Sequence, residues 1–304
     1  MDMCLITGIP GSGKTVLLST LILRHKENFW ARNTEAQKFE NDAEVLDQQK
    51  WPEATNPLAP QRTMQWDFSC KGIKSRLAVA DKAGEAWETF VLENQEPDPV
   101  PALLETIRKM KAKLEPQEQK DLDTIGQQFR HAACVCILID LSEDINQGKN
   151  IDQQNFSKAV VNYLDKIGRT CPVALVVTKC NSYGSKAVWE PIFKERYEKV
   201  FVEHCGKEKV WSIFTDAVAD TDVDDENNIV PALNFKSEGL ENLIGWLGNR
   251  LKATRAKRTL MIATISVATV LIFSAIVFYV PPLVSMLIAT AAVIFVIKFA
   301  KRHL

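Results

Sequence analysis

Eight residues, GIPGSGKT at 8–15, sit between a strand-length apolar run at 3–7 and the helix-compatible run VLLSTLILRHK. The spacing is G-x-x-x-x-G-K-T, and a strand before it with a helix after it gives the pattern physical meaning. Gly8, Gly11 and Gly13 allow backbone angles and close approaches that side chains would block. Successive amides of Gly11, Ser12, Gly13, Lys14, Thr15 and Val16 can then converge on phosphate oxygens at a helix N-terminus. Lys14 would reach the outer phosphates, and Thr15 would offer its hydroxyl to Mg²⁺. A chain that starts this way is committed to a βα unit, and hence to an α/β fold with a mostly parallel sheet.

Further strands should end at the same edge as that loop. MQWDFS (64–69) and IKSRLAVAD (73–81) read as a hairpin around Cys70, Lys71 and Gly72. VCILIDLS (135–142) and PVALVVTK (172–179) are near-continuous aliphatic runs of the kind buried on both faces, and KVWSIFTD (209–216) closes the series. Helices are expected over 152–168, 191–204 and 240–251. The polar, Lys- and Gln-rich segment 93–130 reads as a helical insertion with a solvated face.

Asp81 ends the third of these strands in Asp81-Lys82-Ala83-Gly84-Glu85. There a carboxylate can hold the Mg²⁺ shell, while the Gly84 amide can donate to a terminal phosphate and move when it leaves. Thr63 stands at the strand entrance where a loop threonine could close over the metal, and Thr55 is its rival. Thr178-Lys179-Cys180-Asn181 follows a buried strand, where a lysine stem can cover a base and the fourth residue can read its edge. An Asp there would accept both donors of guanine; the amide of Asn181 mismatches one of them at a cost of about 1–3 kcal/mol. Thr215-Asp216-Ala217 offers a second loop for the base.

The other end of the chain is of a different kind. Residues 259–297 contain no Asp, Glu, Lys or Arg. Thirty-nine helical residues would extend roughly 58 Å, close to twice a bilayer's hydrocarbon thickness. Pro281 and Pro282 mark a turn between two spans, and Lys252, Arg255, Lys257, Arg258, Lys298, Lys301 and Arg302 flank both ends. That places the N-terminal domain and the C-terminus on the cytoplasmic side of a membrane protein with two helices. The second arm, 283–297, is short for a full crossing, and a hairpin confined to one leaflet is the competing geometry. The expected organisation is a nucleotide-binding domain at 1–251, a basic juxtamembrane linker at 252–258 and a transmembrane helical hairpin at 259–304.

Composition removes other classes. Thirty-seven basic against thirty-eight acidic residues give a formal charge of −1, so no broad basic field points to nucleic acid. Seven cysteines without a C-x-x-C pair fit reduced, buried thiols, and no secretory signal precedes the first strand.

GIPGSGKT, DKAGE and TKCN in this order resemble the P-loop GTPases, the class that holds the translation-factor and Ras-like proteins. WPEAT, Thr63, LAVADKAGEAW and PALNFKSEGLENLIGWL resemble, within it, the bacterial double-GTPase-type proteins. The resemblance implies a P-loop NTPase three-layer sandwich, GTP with Mg²⁺ as ligands, slow hydrolysis and a switch read by a protein effector or partner subunit. By motif position it makes Lys14 and Thr15 phosphate and metal ligands, Asp81 and Gly84 sensors of the metal and γ-phosphate, and Thr178, Lys179 and Asn181 the base site. Glu85 stands where many relatives hold a water-orienting Gln. Two other readings remain: an ATP-driven membrane assembly or secretion protein, and a scaffold that binds a nucleotide without hydrolysing it.

Overall fold

The structure is a computed structural model that describes residues 3–9, 11–52, 62–70, 72–81, 85–94, 96, 101–114, 116–168 and 171–279. Seven strands form one sheet in the order β2 (Phe29–Ala31), β3 (Arg62–Cys70), β4 (Ile73–Asp81), β1 (Met3–Thr7), β5 (Ala132–Ile139), β6 (Val173–Val177) and β7 (Val210–Phe214). β4, β5, β6 and β7 run in the direction of β1, while β3 is antiparallel to β2 and β4. The parallel strands therefore end together at one edge.

Side-chain alternation divides the core between two faces. Cys4, Ile6, Cys134, Cys136, Leu138, Ala174 and Val176 point to one face, and Leu5, Val135, Ile137, Ile139, Val173, Leu175 and Val177 to the other. Every residue of β5 is buried, which is why that segment carries no polar alternation. The first face is covered by α1 (Lys14–Arg24), α2 (Thr34–Ala43) and the start of a long C-terminal helix, through Leu17, Leu21, Leu240, Leu243 and Leu247. Trp66 lies fully buried here, and its Nε1 donates to Glu40 at 3.0 Å. The second face carries α3 (Glu85–Asn94), with α4 (Pro101–Lys113) packed against it, and α5 (Pro116–His131), α6 (Ser142–Asn146), α7 (Ile151–Lys166), α8 (Lys186–Phe193) and α9 (Lys199–Cys205). A π turn at Lys194–Glu198 joins α8 to α9. Phe129, Phe156, Phe193 and Phe201 are fully buried there, each contributing about 1.5–3 kcal/mol of apolar burial.

The described residues of the polar 93–130 segment are mostly helical as expected, but their face is not wholly solvated. Leu122, Ile125 and Phe129 of α5 are buried, and Phe129 stacks on Phe90 at 5.6 Å between centroids. Apolar residues at i, i+3 and i+7 give α5 one buried stripe inside an otherwise charged sequence.

The long helix is α10 (Leu240–Tyr279), continuous through 252–258 where a linker was expected. Lys, Ala and Arg are strong helix formers and no Gly or Pro interrupts the stretch, so the helix continues. Gly239 starts it: with φ +75° its amide turn packs so closely on β7 that a Cβ would lie 2.0 Å from the Phe214 carbonyl oxygen. Among the described residues, no helix is long and apolar enough to cross a membrane. Pro281, Pro282 and the second arm of the expected hairpin lie outside the described residues. Edge strand β2 and the small hairpin of β8 (Thr221–Val223) with β9 (Ile229–Pro231) were not legible beforehand, because three residues carry no usable periodicity.

Candidate functional site

The site is built where β1 stops. Gly13 adopts φ +80° and ψ 13°, and α1 begins at the next residue. Gly11 also has φ +80°, a region that favours glycine. Gly8 has no room for a side chain, since a Cβ would lie 2.6 Å from Ser12 Oγ and 3.0 Å from Leu138 Cβ. The loop folds back on itself through Ser12 N–H to the Ile9 carbonyl, 3.2 Å. Lys14 is buried, and its ammonium donates to the Gly8 carbonyl at 3.0 Å, so its charge is held inside the loop. Thr15 and Val16 occupy the first turn of α1.

Two residues of the loop after β6 clamp this turn. Thr178 is buried, and its hydroxyl lies 2.9 Å from the Ser12 carbonyl and 3.3 Å from that of Ile139. Lys179 takes a left-handed conformation, φ 57°, and its ammonium reaches the Gly11 carbonyl at 3.2 Å and Asp140 Oδ2 at 2.5 Å. A single lysine thus ties the phosphate loop to the ends of β5 and β6.

Asp140 was not singled out from the sequence, and it is the most heavily engaged carboxylate of the site. Its Oδ1 accepts from Ser142 N–H at 2.9 Å, from Ser142 Oγ at 2.5 Å and from Tyr183 Oη at 2.7 Å. Gln153 fixes its backbone on both sides. Burial pushes the Asp140 carboxyl up, but Lys179 and the Ser142 and Tyr183 donors outweigh it and hold it below the usual carboxylate range. The signal that could have found it is its place at the C-terminal end of an apolar strand, the same signal that picked out Asp81.

Asp81 is the last residue of β4, two residues beyond Val79, which pairs with Ile6. The register therefore carries the Asp81 backbone to the side of Gly8, on the phosphate-loop edge rather than the far one. Thr63 pairs with Ala80 at the start of β3, which brings it to that edge too. Glu85 opens α3. Gly84 and Thr55 lie outside the described residues, as do the side chains of Thr63, Asp81 and Glu85.

On the other side of the loop lies a cavity of about 400 Å³, lined by Gly13, Val16, Thr178, Lys179, Asp216 and Ala217 among others. Trp51 and Ile229 close its rim, with Trp51 Nε1 donating to the Ile229 carbonyl at 2.7 Å. Asn181 has an exposed side chain and is absent from the lining; its backbone N–H donates to Asp216 Oδ2 at 3.1 Å. Of the three residues read as a base site, Thr178 and Lys179 line the cavity and Asn181 does not.

No protein-family model matches this chain, and no curated protein matches it. Among solved structures it is similar to the Roco2 RocCORdC of Methanosarcina barkeri bound to GDP, at 13% identity and a TM-score of 0.36, covering 82% of this chain and 48% of that one. It is also similar to the Ski7 GTPase-like domain of S. cerevisiae bound to GDP and inorganic phosphate, at 13% identity and a TM-score of 0.44, covering 82% and 49%. A third is the translation elongation factor SelB from Methanococcus maripaludis in its apo form, at 14% identity and a TM-score of 0.39, covering 83% and 34%. The chain spans half or less of the length of these proteins. Its own sheet order and loop define a mixed α/β protein of P-loop architecture.

Proposed function

We propose that this chain is a P-loop nucleoside triphosphatase, a GTPase acting as a nucleotide-dependent switch and fixed to a membrane by its C-terminal segment. The observation that carries the reading is the convergence on one sheet edge of a glycine-shaped loop, the buried Lys14 ammonium, and the ends of β3 and β4. Beside them a cavity is lined by Gly13, Thr178 and Lys179, next to where a base would follow the phosphates.

The donor set fits a magnesium-bound polyphosphate. Ser12 Oγ is buried and without a partner among the described residues, and the space over Gly8 is too tight for anything but backbone. Thr15, Asp81 and Thr63 would hold Mg²⁺, which supplies charge neutralisation across the outer phosphates. Lys14 and the loop amides would bind and orient those phosphates, and in this reading Gly84 and Glu85 would serve the terminal phosphate and the attacking water. Asp140 does not serve as a free metal ligand in this reading, since Lys179, Ser142 and Tyr183 already engage it. That weighs against an ATP-driven machine with its acidic metal site on that strand.

Membrane attachment is proposed from the sequence alone, in which residues 259–297 carry no Asp, Glu, Lys or Arg. A protein partner would read the order of the loops around Thr63 and Asp81.

The test is binding and turnover of GTP, ATP and XTP by the full chain in detergent, alongside Lys14→Ala and a chain ending at Arg258. The expected result is GTP turnover that Lys14→Ala loses while staying in the membrane fraction, and a shortened chain that leaves that fraction yet still binds. GTP turnover by Lys14→Ala at the parent's rate would overturn the site, and full-length protein in the soluble fraction would overturn the anchor.

A further inference from the structure

The fourth residue of the Thr178-Lys179-Cys180-Asn181 loop is an amide where an acceptor for guanine would be expected, yet a carboxylate lies beside it. Asp216 follows β7, is 7% exposed and lines the 400 Å³ cavity together with Gly13, Thr178 and Lys179. Asn181 does not line it; its backbone N–H instead donates to Asp216 Oδ2. The isolated bridge between Asp216 and Glu238 fixes the backbone, with Asp216 N–H to the Glu238 carbonyl at 3.0 Å and Glu238 N–H back at 2.8 Å. Thr215 is held in the same way, through its N–H and its hydroxyl to the Val177 carbonyl at 2.8 and 3.1 Å. Asp216 is thus presented by a backbone pinned on both sides.

Resting on the reading of this cavity as the base site of a nucleotide, we infer that Asp216, and not Asn181, supplies the acceptor that selects guanine. A carboxylate carries two oxygens with about four acceptor positions and no donor. Guanine offers two adjacent donors, N1–H and the exocyclic 2-amino group, which match such an acceptor. Adenine offers a ring acceptor beside an amine and leaves a lone pair facing the carboxylate. Xanthine replaces the 2-amino group by a carbonyl oxygen and is repelled at one of its two positions. Burial of Asp216 pushes its carboxyl up from the usual range, and the backbone N–H groups of Asn181 and Val218 draw it back only in part. Two further donors from a base would complete its shell. Asn181 then has a positioning role, through its amide nitrogen, which any side chain at 181 leaves in place.

The experiment is a competition series with GTP, ITP, XTP and ATP on the full chain, Asp216→Asn, Asn181→Asp and Lys14→Ala. The parent is expected to bind GTP ahead of ITP, XTP and ATP by on the order of 10- to 100-fold, the range set by one mismatched buried hydrogen bond. Asp216→Asn keeps an oxygen for the Asn181 N–H but presents a donor beside an acceptor. It is expected to lose GTP by a similar factor and to gain XTP, and that gain shows that the variant is folded. Asn181→Asp should leave the order unchanged. An unchanged preference in Asp216→Asn, or a parent that prefers XTP and turns to GTP in Asn181→Asp, would overturn the assignment while leaving the nucleotide site intact. If the parent binds none of the four, or Lys14→Ala binds as the parent does, the site reading itself falls and the inference with it.

Discussion

Replacing Thr178 by valine isolates the bond that holds the phosphate loop in shape. Thr178 is 4% exposed and Ser12 1%, so neither end of their 2.9 Å hydrogen bond has ready access to water. The second acceptor near the hydroxyl, the Ile139 carbonyl, already receives the Thr178 backbone N–H at 2.9 Å. The loss therefore falls on the Ser12 carbonyl. A buried acceptor stripped of its donor costs about 1–3 kcal/mol, and for a domain of this size each kcal/mol lowers Tm by about 2–4 °C. The loss should appear as a lowered Tm by calorimetry. To the extent that the freed loop drifts from its phosphate-ready shape, it should also weaken nucleotide binding, by at most about 5- to 150-fold. Thr178→Ser gives the control: it keeps the hydroxyl, loses one methyl worth about 0.8 kcal/mol, and should hold nucleotide affinity. A valine variant with parental Tm and parental affinity would refute the clamp, and a serine variant as weak as valine would assign the effect to packing.

Two predictions concern the acidic groups of the same half of the sheet. Asp140 is held below its usual range in the folded state, so its contribution is full above the unfolded value near 3.9 and is lost as pH falls through the folded value. Asp140→Asn should lower the urea midpoint at pH 7, with the gap to the parent narrowing as pH falls below the unfolded carboxylate range; a gap that stays constant on acidification would contradict the Lys179 pairing. Asp144 is 2% exposed and accepts from Arg196 and Tyr197 at 2.6 Å each and from Asn150 N–H at 3.1 Å. Asp144→Ala strands those donors, with Arg196 still 29% exposed to water, and should cost about 3 kcal/mol, against under 1 kcal/mol if the network were incidental.

What could be read beforehand was local. GIPGSGKT specifies backbone angles, a helix start and a buried ammonium within eight consecutive residues, and those are properties of the chain itself. Long apolar runs marked β5 and β6 for the same reason, since a strand buried on both faces tolerates no polar residue. The length and lack of charge of 259–297 are likewise sequence properties.

Tertiary structure decided everything that depends on two distant segments meeting. Lys179 reaches Gly11 across 168 positions, and Asp140 is engaged by residues 39 and 43 positions away, pairings that no local pattern announces. Asn181 and Asp216 read as two separate loops in the sequence. Only parallel pairing of β6 with β7 sets their ends side by side, turning one outward and the other toward the cavity. The continuation of α10 through the basic stretch and the closure of the cavity by Trp51 against Ile229 are of the same kind. Side-chain chemistry belongs to the residue, but the partner that gives it meaning is chosen by the register of the sheet.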